Sequence, residues 1–539
     1  MSKKPPKGLG LHEPLRLQEH ARPRTRREFV AQGFMTGAAT VLAPSLLGML
    51  PRRARANGLS SDINALLTPC GISLGAGKVP FICFDLAGGG NIAGSNVLVG
   101  GPKGQLDFLS VAGYSKLGLP GTMVPNSSAA GSFVDATFGL RYHTDSAHLR
   151  GMKARVKTAS ALANTTGTVI PALSQNDTNV NPHNPMYAIY QYGARGGLLD
   201  LIGSQSSMSG GNSMSPMSMM IPSATPVKIS SSTDSKGLVN TGQLSTLLPL
   251  PSDVTAVMES VKRISDAKYS QVTAYLDATK NTAALGPHGS QACGYTKSAY
   301  VIDAYGNPAS VNPDVDPNIV GPSGIFTQAE YDASNDFQKT AAVMKLVIDG
   351  NAAAGTIEMG GFDYHTGDRM TGEARDFNLG NCIGAVLEYA ARVNKPVMIY
   401  VFSDGSLASS GMIDNSSGGR GKGVWTGDNQ NVAATYFLVF DPKGKPVSAQ
   451  ASPESSLQIG YFNSDGGLNT SGSPAGNNVF NLVQMVVLNY IALHGAGPAA
   501  TFAGLYPSPN LNNTLGTGSA LDPLIAYQPL ASVVNGKVT

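Results

Sequence analysis

Short runs of consecutive apolar residues alternate along this chain with longer stretches whose apolar positions recur every three or four residues. Lys78 to Leu86 is the first apolar run, and the glycine-rich turn Ala87-Gly88-Gly89-Gly90-Asn91 closes it. Residues 144–164 carry Leu149, Met152, Val156 and Ala159 at helical spacing. Thr168 to Leu173 reads as the next strand, Ser174 to Pro185 as a polar loop containing His183, and Met186 to Arg195 as a helix. The same alternation returns with helices over Thr327 to Ile348, Glu373 to Val393 and Val479 to His494. Strands over Ala354 to Met359, Lys395 to Phe402 and Thr435 to Phe440 lie between them. Strands of this length separated by helices predict an α/β three-layer sandwich with a mostly parallel central sheet.

Two stretches break the rhythm and read as loop-rich insertions, near residues 204–250 and 284–325. The first opens with a Ser/Gly/Met-rich segment holding Met208, Met214, Met217, Met219 and Met220. Thioethers are soft ligands for Cu(I), but a Met-lined apolar surface or flexible loop explains the same composition. Asp253 to Ala278, between the insertions, is an amphipathic helix. In the second insertion Asn312, Asp314, Asp316 and Asn318 alternate as in a calcium loop, yet the glycine and distal Glu of an EF-hand are missing. The tail beyond Gly495 is turn-rich.

The net charge of +3 changes meaning once it is located. Residues 1–56 hold 11 of the 38 Lys and Arg and 3 of the 35 Asp and Glu, so the remaining chain carries a net of −5. That excludes the electrostatic footprint of a nucleic-acid binder. The basic excess surrounds Arg26-Arg27, followed by an apolar run from Phe34 to Leu50 and a small-x-small site ending at Ala56. These are the parts of an export signal, and the arginine pair makes it twin-arginine (Tat) type. The expectation is a signal peptide over 1–56, a single α/β domain over 57–539, and a periplasmic or secreted location reached through the Tat machinery. No other run reaches the ~18–20 apolar residues of a membrane span. Four cysteines remain: Cys83 and Cys382 in apolar surroundings, read as buried thiols, and Cys70 and Cys293 in loops, free to bridge in an oxidising compartment.

The chemistry gathers where strands end. Asp363 and His365 follow the strand Ala354 to Met359, and residues i and i+2 of extended chain point the same way. Asp85 ends the first strand and Asp404 follows Ser403 after the strand Lys395 to Phe402; Asp428 and His183 are further candidates. Carboxylates and imidazoles at one sheet edge form a site for Zn²⁺ or Mn²⁺, or for the harder Mg²⁺ or Ca²⁺. The plainer reading is that each Asp caps a following helix.

The run from Gly360-Gly361-Phe362-Asp363-Tyr364-His365 through Phe402-Ser403-Asp404-Gly405-Ser406, with Phe84-Asp85-Leu86 and its glycine loop, resembles the core of the secreted domain-of-unknown-function 1501 family. That resemblance spans roughly residues 78–500. It implies an alkaline-phosphatase- or sulfatase-like fold and a Tat signal. It also implies a metal site built from Asp85, His183, Asp363, His365, Asp404 and Asp428, with Ser95 or Asn91 in the nucleophile region. The family's Ser-Glu-Phe-Gly-Arg stands here as Ser403-Asp404-Gly405-Ser406-Leu407, and its Thr-Asp-His-Gly histidine is replaced by Asn429. Two functions follow as expectations. One is a metal-dependent phosphate or sulfate ester hydrolase acting on a small molecule. The other is a non-catalytic periplasmic binding or secretion-associated assembly protein, with an eroded site and a protein partner.

Overall fold

The computed structural model describes residues 58–70, 72, 77–125, 133–174, 181–240, 247–248, 250–276, 287–495, 497–507 and 515–539, with side chains omitted over 269–292. The expected signal peptide, with Arg26, Arg27 and Ala56, lies outside the described residues. The chain divides into two compact units, Met1–Cys70 with Gly242–Ala304, and Gly71–Thr241 with Tyr305–Thr539.

The larger unit is built on a seven-stranded sheet. Its members in chain order are β1 (Phe81–Leu86), β2 (Thr165–Pro171), β3 (Leu199–Gly203), β4 (Val227–Lys228), β5 (Ala352–Met359), β6 (Val397–Ser403) and, after a separate hairpin β7 (Leu407–Asp414) and β8 (Lys422–Asp428), β9 (Ala434–Phe440). The spatial order is β2-β9-β6-β1-β5-β3-β4. β1 runs parallel to both β5 and β6, and β9 alone among the seven runs opposite to the other six. The α/β, mostly parallel architecture anticipated from the apolar pattern is thus present, with helices on both faces. β1 is central and buried throughout, as a parallel strand covered on two sides must be.

The face to which each strand residue points follows the period of two. Phe81 and Cys83 of β1, Met398, Tyr400 and Phe402 of β6, and Phe437 and Val439 of β9 enter one apolar cluster with α2 (Met186–Gln191) and α7 (Val479–Ala492). The opposite face receives α5 (Asn335–Ile348), packed on β5, and α6 (Met370–Arg392). α6 crosses α1 (Ala147–Arg155) at glycines: a Cβ on Gly380 would lie 2.2 Å from the His148 carbonyl oxygen, and one on Gly151 would lie 2.3 Å from that of Phe377.

Several elements differ from expectation for local reasons. The helix expected over Thr327 to Ile348 is two helices, broken at Ser334, whose extended backbone and hydroxyl cap the second. Residues 144–164 likewise form two helices, separated by the extended N-cap residue Thr158. Asn415 to Gly421 form the turn of the β7–β8 hairpin. β3 was not anticipated, and the turn-rich tail contains a helix, Pro498–Leu505. Asn312, Asp314, Asp316 and Asn318 form capped turns: Asn312 accepts from the Asp314 N–H and Asp316 pairs with Lys345 at 2.7 Å.

The smaller unit contains α3 (Pro251–Leu276) and α4 (Pro287–Tyr305), so the second insertion is partly helical. Its core is Ile63, Val254, Met258, Ala299 and Ile302. A Cys70–Cys293 disulfide ties it, while Cys83 and Cys382 are buried free thiols. No helix among the described residues is long and apolar enough to cross a membrane.

Candidate functional site

The parallel strands β1, β5 and β6 all deliver their carboxyl ends to one edge, in register: Leu86 lies opposite both Met359 and Ser403. The three following loops are stitched together. Ala87 N–H donates to the Met359 carbonyl at 3.0 Å and Phe362 N–H to the Ala87 carbonyl at 3.1 Å. The Ser403 hydroxyl donates to the Leu86 carbonyl at 2.9 Å and accepts from Gly90 N–H at 2.8 Å. Gly88 lies between the two outer loops. Its φ of +119° suits glycine, and a Cβ there would sit 2.5 Å from the Asp363 nitrogen. Its own N–H donates to Asp404 Oδ1 at 2.8 Å.

Beyond β5 the burial still alternates, although Gly361 has φ +82° and Tyr364 N–H turns back to the Phe362 carbonyl at 2.9 Å. Phe362 and Tyr364 are buried; Asp363 and His365 point to solvent. Tyr364 anchors the stretch from beneath: its hydroxyl donates to Asp376 Oδ1 at 3.0 Å and accepts from Asn91 N–H at 2.8 Å. Asn96 Nδ2 donates to the other Asp376 oxygen at 2.7 Å. Above, His365 Nε2 lies 2.6 Å from Asp363 Oδ1 and 3.9 Å from Asp428 Oδ1. The hairpin supplies Asp428, held by Asn429 N–H donating to the Ser406 carbonyl at 2.8 Å. One donor atom from each of Asp363, His365 and Asp428 lies within 4.8 Å of the others, and all three residues are exposed. Two carboxylates and an imidazole at this spacing are groups that could hold a divalent cation.

The other expected residues occupy different places. Asp85 is wholly buried; Oδ2 accepts from Ser213 N–H at 2.7 Å and Oδ1 has no hydrogen-bond partner. Burial, and then the nearby Asp404 carboxylate, push its carboxyl well above the usual range against the Ser213 N–H. Asp404 is also buried, with Oδ1 on Gly88 N–H and Oδ2 accepting from Asn212 Nδ2 at 2.6 Å. His183 is buried and stacked on Phe402, ring centroids 5.8 Å apart, its Nδ1 3.2 Å from the Asn181 carbonyl; burial lowers its pKa to about 4. It is therefore a neutral, packed ring and not a member of the exposed cluster. Ser95 is wholly buried and its Oγ has no partner. Asn91 is buried with its amide donating to the Leu407 carbonyl at 3.0 Å.

Sequence reasoning passed over the groups that surround Asp85 and Asp404. Asn181 donates to the Asp404 carbonyl at 2.7 Å, and Asn212 and Ser213 sit in the Ser/Gly/Met-rich segment, where nothing marks them. Glu358 carried a readable signal, a carboxylate inside an apolar run, and lies opposite Asp85 in the sheet. The methionines do not gather as a soft-ligand set: Met219 is buried against the Tyr506 hydroxyl, while Met208 and Met217 are exposed.

The fold and its strand-end cluster define an α/β protein with a candidate cation centre at the carboxyl edge of a mostly parallel sheet. Comparison with known protein families and with curated proteins finds no match for this chain.

Proposed function

We propose that this protein is an exported, metal-dependent hydrolase of phosphate or sulfate esters, with an alkaline-phosphatase-like fold of the kind its motifs resemble. The observation that carries the reading is the convergence of Asp363, His365 and Asp428 beside the glycine-rich loop of β1. These three would hold a divalent cation, Zn²⁺ or Mn²⁺, which when bound supplies Lewis-acid polarisation of an ester oxygen. Ser95 and Asn91 are sealed from solvent, so in this reading solvent water attacks the ester. Tyr364 and Asp376 hold the ligand-bearing stretch from below. The Cys70–Cys293 disulfide supports a destination outside the reducing cytosol.

Elemental analysis of the purified chain tests the proposal, with turnover of a panel of phosphate and sulfate esters. Bound Zn or Mn and hydrolysis, both lost in Asp363→Ala and His365→Ala, are expected. Metal-free, inactive protein across the panel would favour the second reading, a periplasmic binding or assembly protein. Two observations support that alternative: Asn429 stands in place of the family's histidine, and Asp85 and Asp404 are covered by other donors.

A further inference from the structure

The resemblance implies a metal site that includes Asp85 and Asp404 beside Asp363, His365 and Asp428, yet the donors around Asp85 and Asp404 do not fit a cation there. The cover is one loop, residues 204–213, leaving β3. It is held at its base by a glycine crossing: a Cβ on Gly203 would lie 2.1 Å from the Gly210 Cα, and Gly210 has φ +71°. Gln205 N–H donates to the Gly210 carbonyl at 2.9 Å, and the Ser207 hydroxyl to that of Gly211 at 2.6 Å. The loop is then fastened to the sheet. Glu358 N–H donates to Ser204 Oγ and Gln205 Nε2 to Glu358 Oε2, each at 2.8 Å. Asn184 Nδ2 donates to the Ser209 carbonyl at 3.2 Å and Tyr187 Oη to that of Met208 at 2.8 Å.

Its far end delivers two N–H groups to two carboxylates, Ser213 N–H to Asp85 Oδ2 and the Asn212 amide to Asp404 Oδ2. Gly211 passes so close that a Cβ would sit 2.4 Å from Asp85 Oδ2. Gly88 N–H takes the remaining Asp404 oxygen. Asp85 Oδ1 is buried and has no hydrogen-bond partner. Donors with their positive ends aimed at three of the four carboxylate oxygens, all but Asp85 Oδ1, take up directions from which a cation would approach.

We infer that the loop 204–213 stands in for a second cation at Asp85 and Asp404, leaving Asp363, His365 and Asp428 as a one-ion centre. The second half of this inference rests on the function proposed above; the first half does not.

The test counts ions. Chelator-stripped protein is titrated with Mn²⁺, and separately with Zn²⁺, and bound metal is measured after desalting. Wild type is expected to hold one ion, His365→Ala none and Asp85→Asn one. Asn212 is exposed, so Asn212→Ala leaves the core untouched. It is expected to hold one ion more than wild type, and Asp85→Asn in the Asn212→Ala background removes the extra ion. Two ions in wild type with one lost in Asp85→Asn, or no gain in Asn212→Ala, overturns the inference. So does an ion lost in Asn212→Ala, which would make the Asn212 carbonyl a ligand. A wild-type count of zero sinks the Asp363 centre, while the gain in Asn212→Ala still decides the role of the loop.

Discussion

A buried histidine that stays neutral makes a protein sensitive to mild acid, and the described residues include His143, His183 and His494. Burial lowers His183 and His143 to about 4 and His494 to about 3. His494 shows why: Nε2 accepts from Val79 N–H at 2.9 Å while Nδ1 faces the Tyr490 carbonyl at 2.8 Å, so both nitrogens are used by the neutral ring. With folded pKa values below the unfolded ~6.5, the unfolded chain binds more protons in the window between. The stability these rings contribute is complete above pH ~6.5 and is lost as pH falls toward 4, at about 1.4 kcal/mol per unit for each. Asp85 runs the other way, because its raised carboxyl favours the folded state at low pH. Urea unfolding at pH 7 and pH 5 should show lower stability at pH 5, and a smaller drop in His494→Gln. A second outcome belongs to Asp85 itself. Asn is nearly isosteric with a protonated Asp and keeps an acceptor for Ser213 N–H, so Asp85→Asn should melt within a few degrees of wild type. Asp85→Leu, which leaves that N–H unsatisfied, should lose about 1–3 kcal/mol.

Between elements, the β7–β8 hairpin depends on charges it buries against α6. Lys422 and Arg369 are wholly buried and both reach Glu373 Oε1 at 2.9 Å; Arg150 meets Oε2 at 2.6 Å. The Arg369 guanidinium also lies 4.3 Å from the Trp425 ring centroid. Removing the shared anion takes the carboxylate partner from buried Arg369 and leaves Lys422 with Asp145 at 3.1 Å; unpairing a buried ion typically costs about 3–5 kcal/mol. Glu373→Gln should therefore lower the denaturant midpoint by that order. It should also weaken metal binding without touching a ligand, because Asp428 ends the hairpin. Unchanged stability and metal affinity in that variant would show that the hairpin is held otherwise. The elements themselves were readable where a long period was sustained, as in α6 and α7, or where a buried strand read as an unbroken apolar run, as in β1 and β6. β3 was not, since Leu199-Asp200-Leu201-Ile202-Gly203 is short and only half apolar in context. The strand-end Asp363 and His365 were legible because alternation is a local property of the chain. The cover on Asp85 and Asp404 was not, because it comes from residues far along the sequence that carry no charge.

For the molecule as a whole, the smaller unit has, among its described residues, a buried apolar cluster of Ile63, Val254, Met258, Ala299 and Ile302 and one covalent tie. Removing a native bridge from a small domain commonly costs about 2–5 kcal/mol. A Cys70→Ser/Cys293→Ser variant should expose residues 58–70 and the 251–305 helices to protease at lower temperature. The melting of the larger unit should stay put, as followed by its single tryptophan, Trp425. A uniform shift of both transitions would instead mean that the two units unfold together.

That same bridge closes residues 70 to 293 into a covalent ring, and the order of strands in the sheet shows what the ring encloses. β1 to β4 belong to the ring, while β5, β6 and β9 belong to the linear remainder. In space the two sets are shuffled: both edge strands come from the ring, and β1 is gripped on either side by strands of the remainder. The polypeptide therefore has no half that can be excised as a working fragment. Residues 294–539 expressed alone would lack the strand that joins β5 to β6, and should assemble only when the ring segment is supplied in trans.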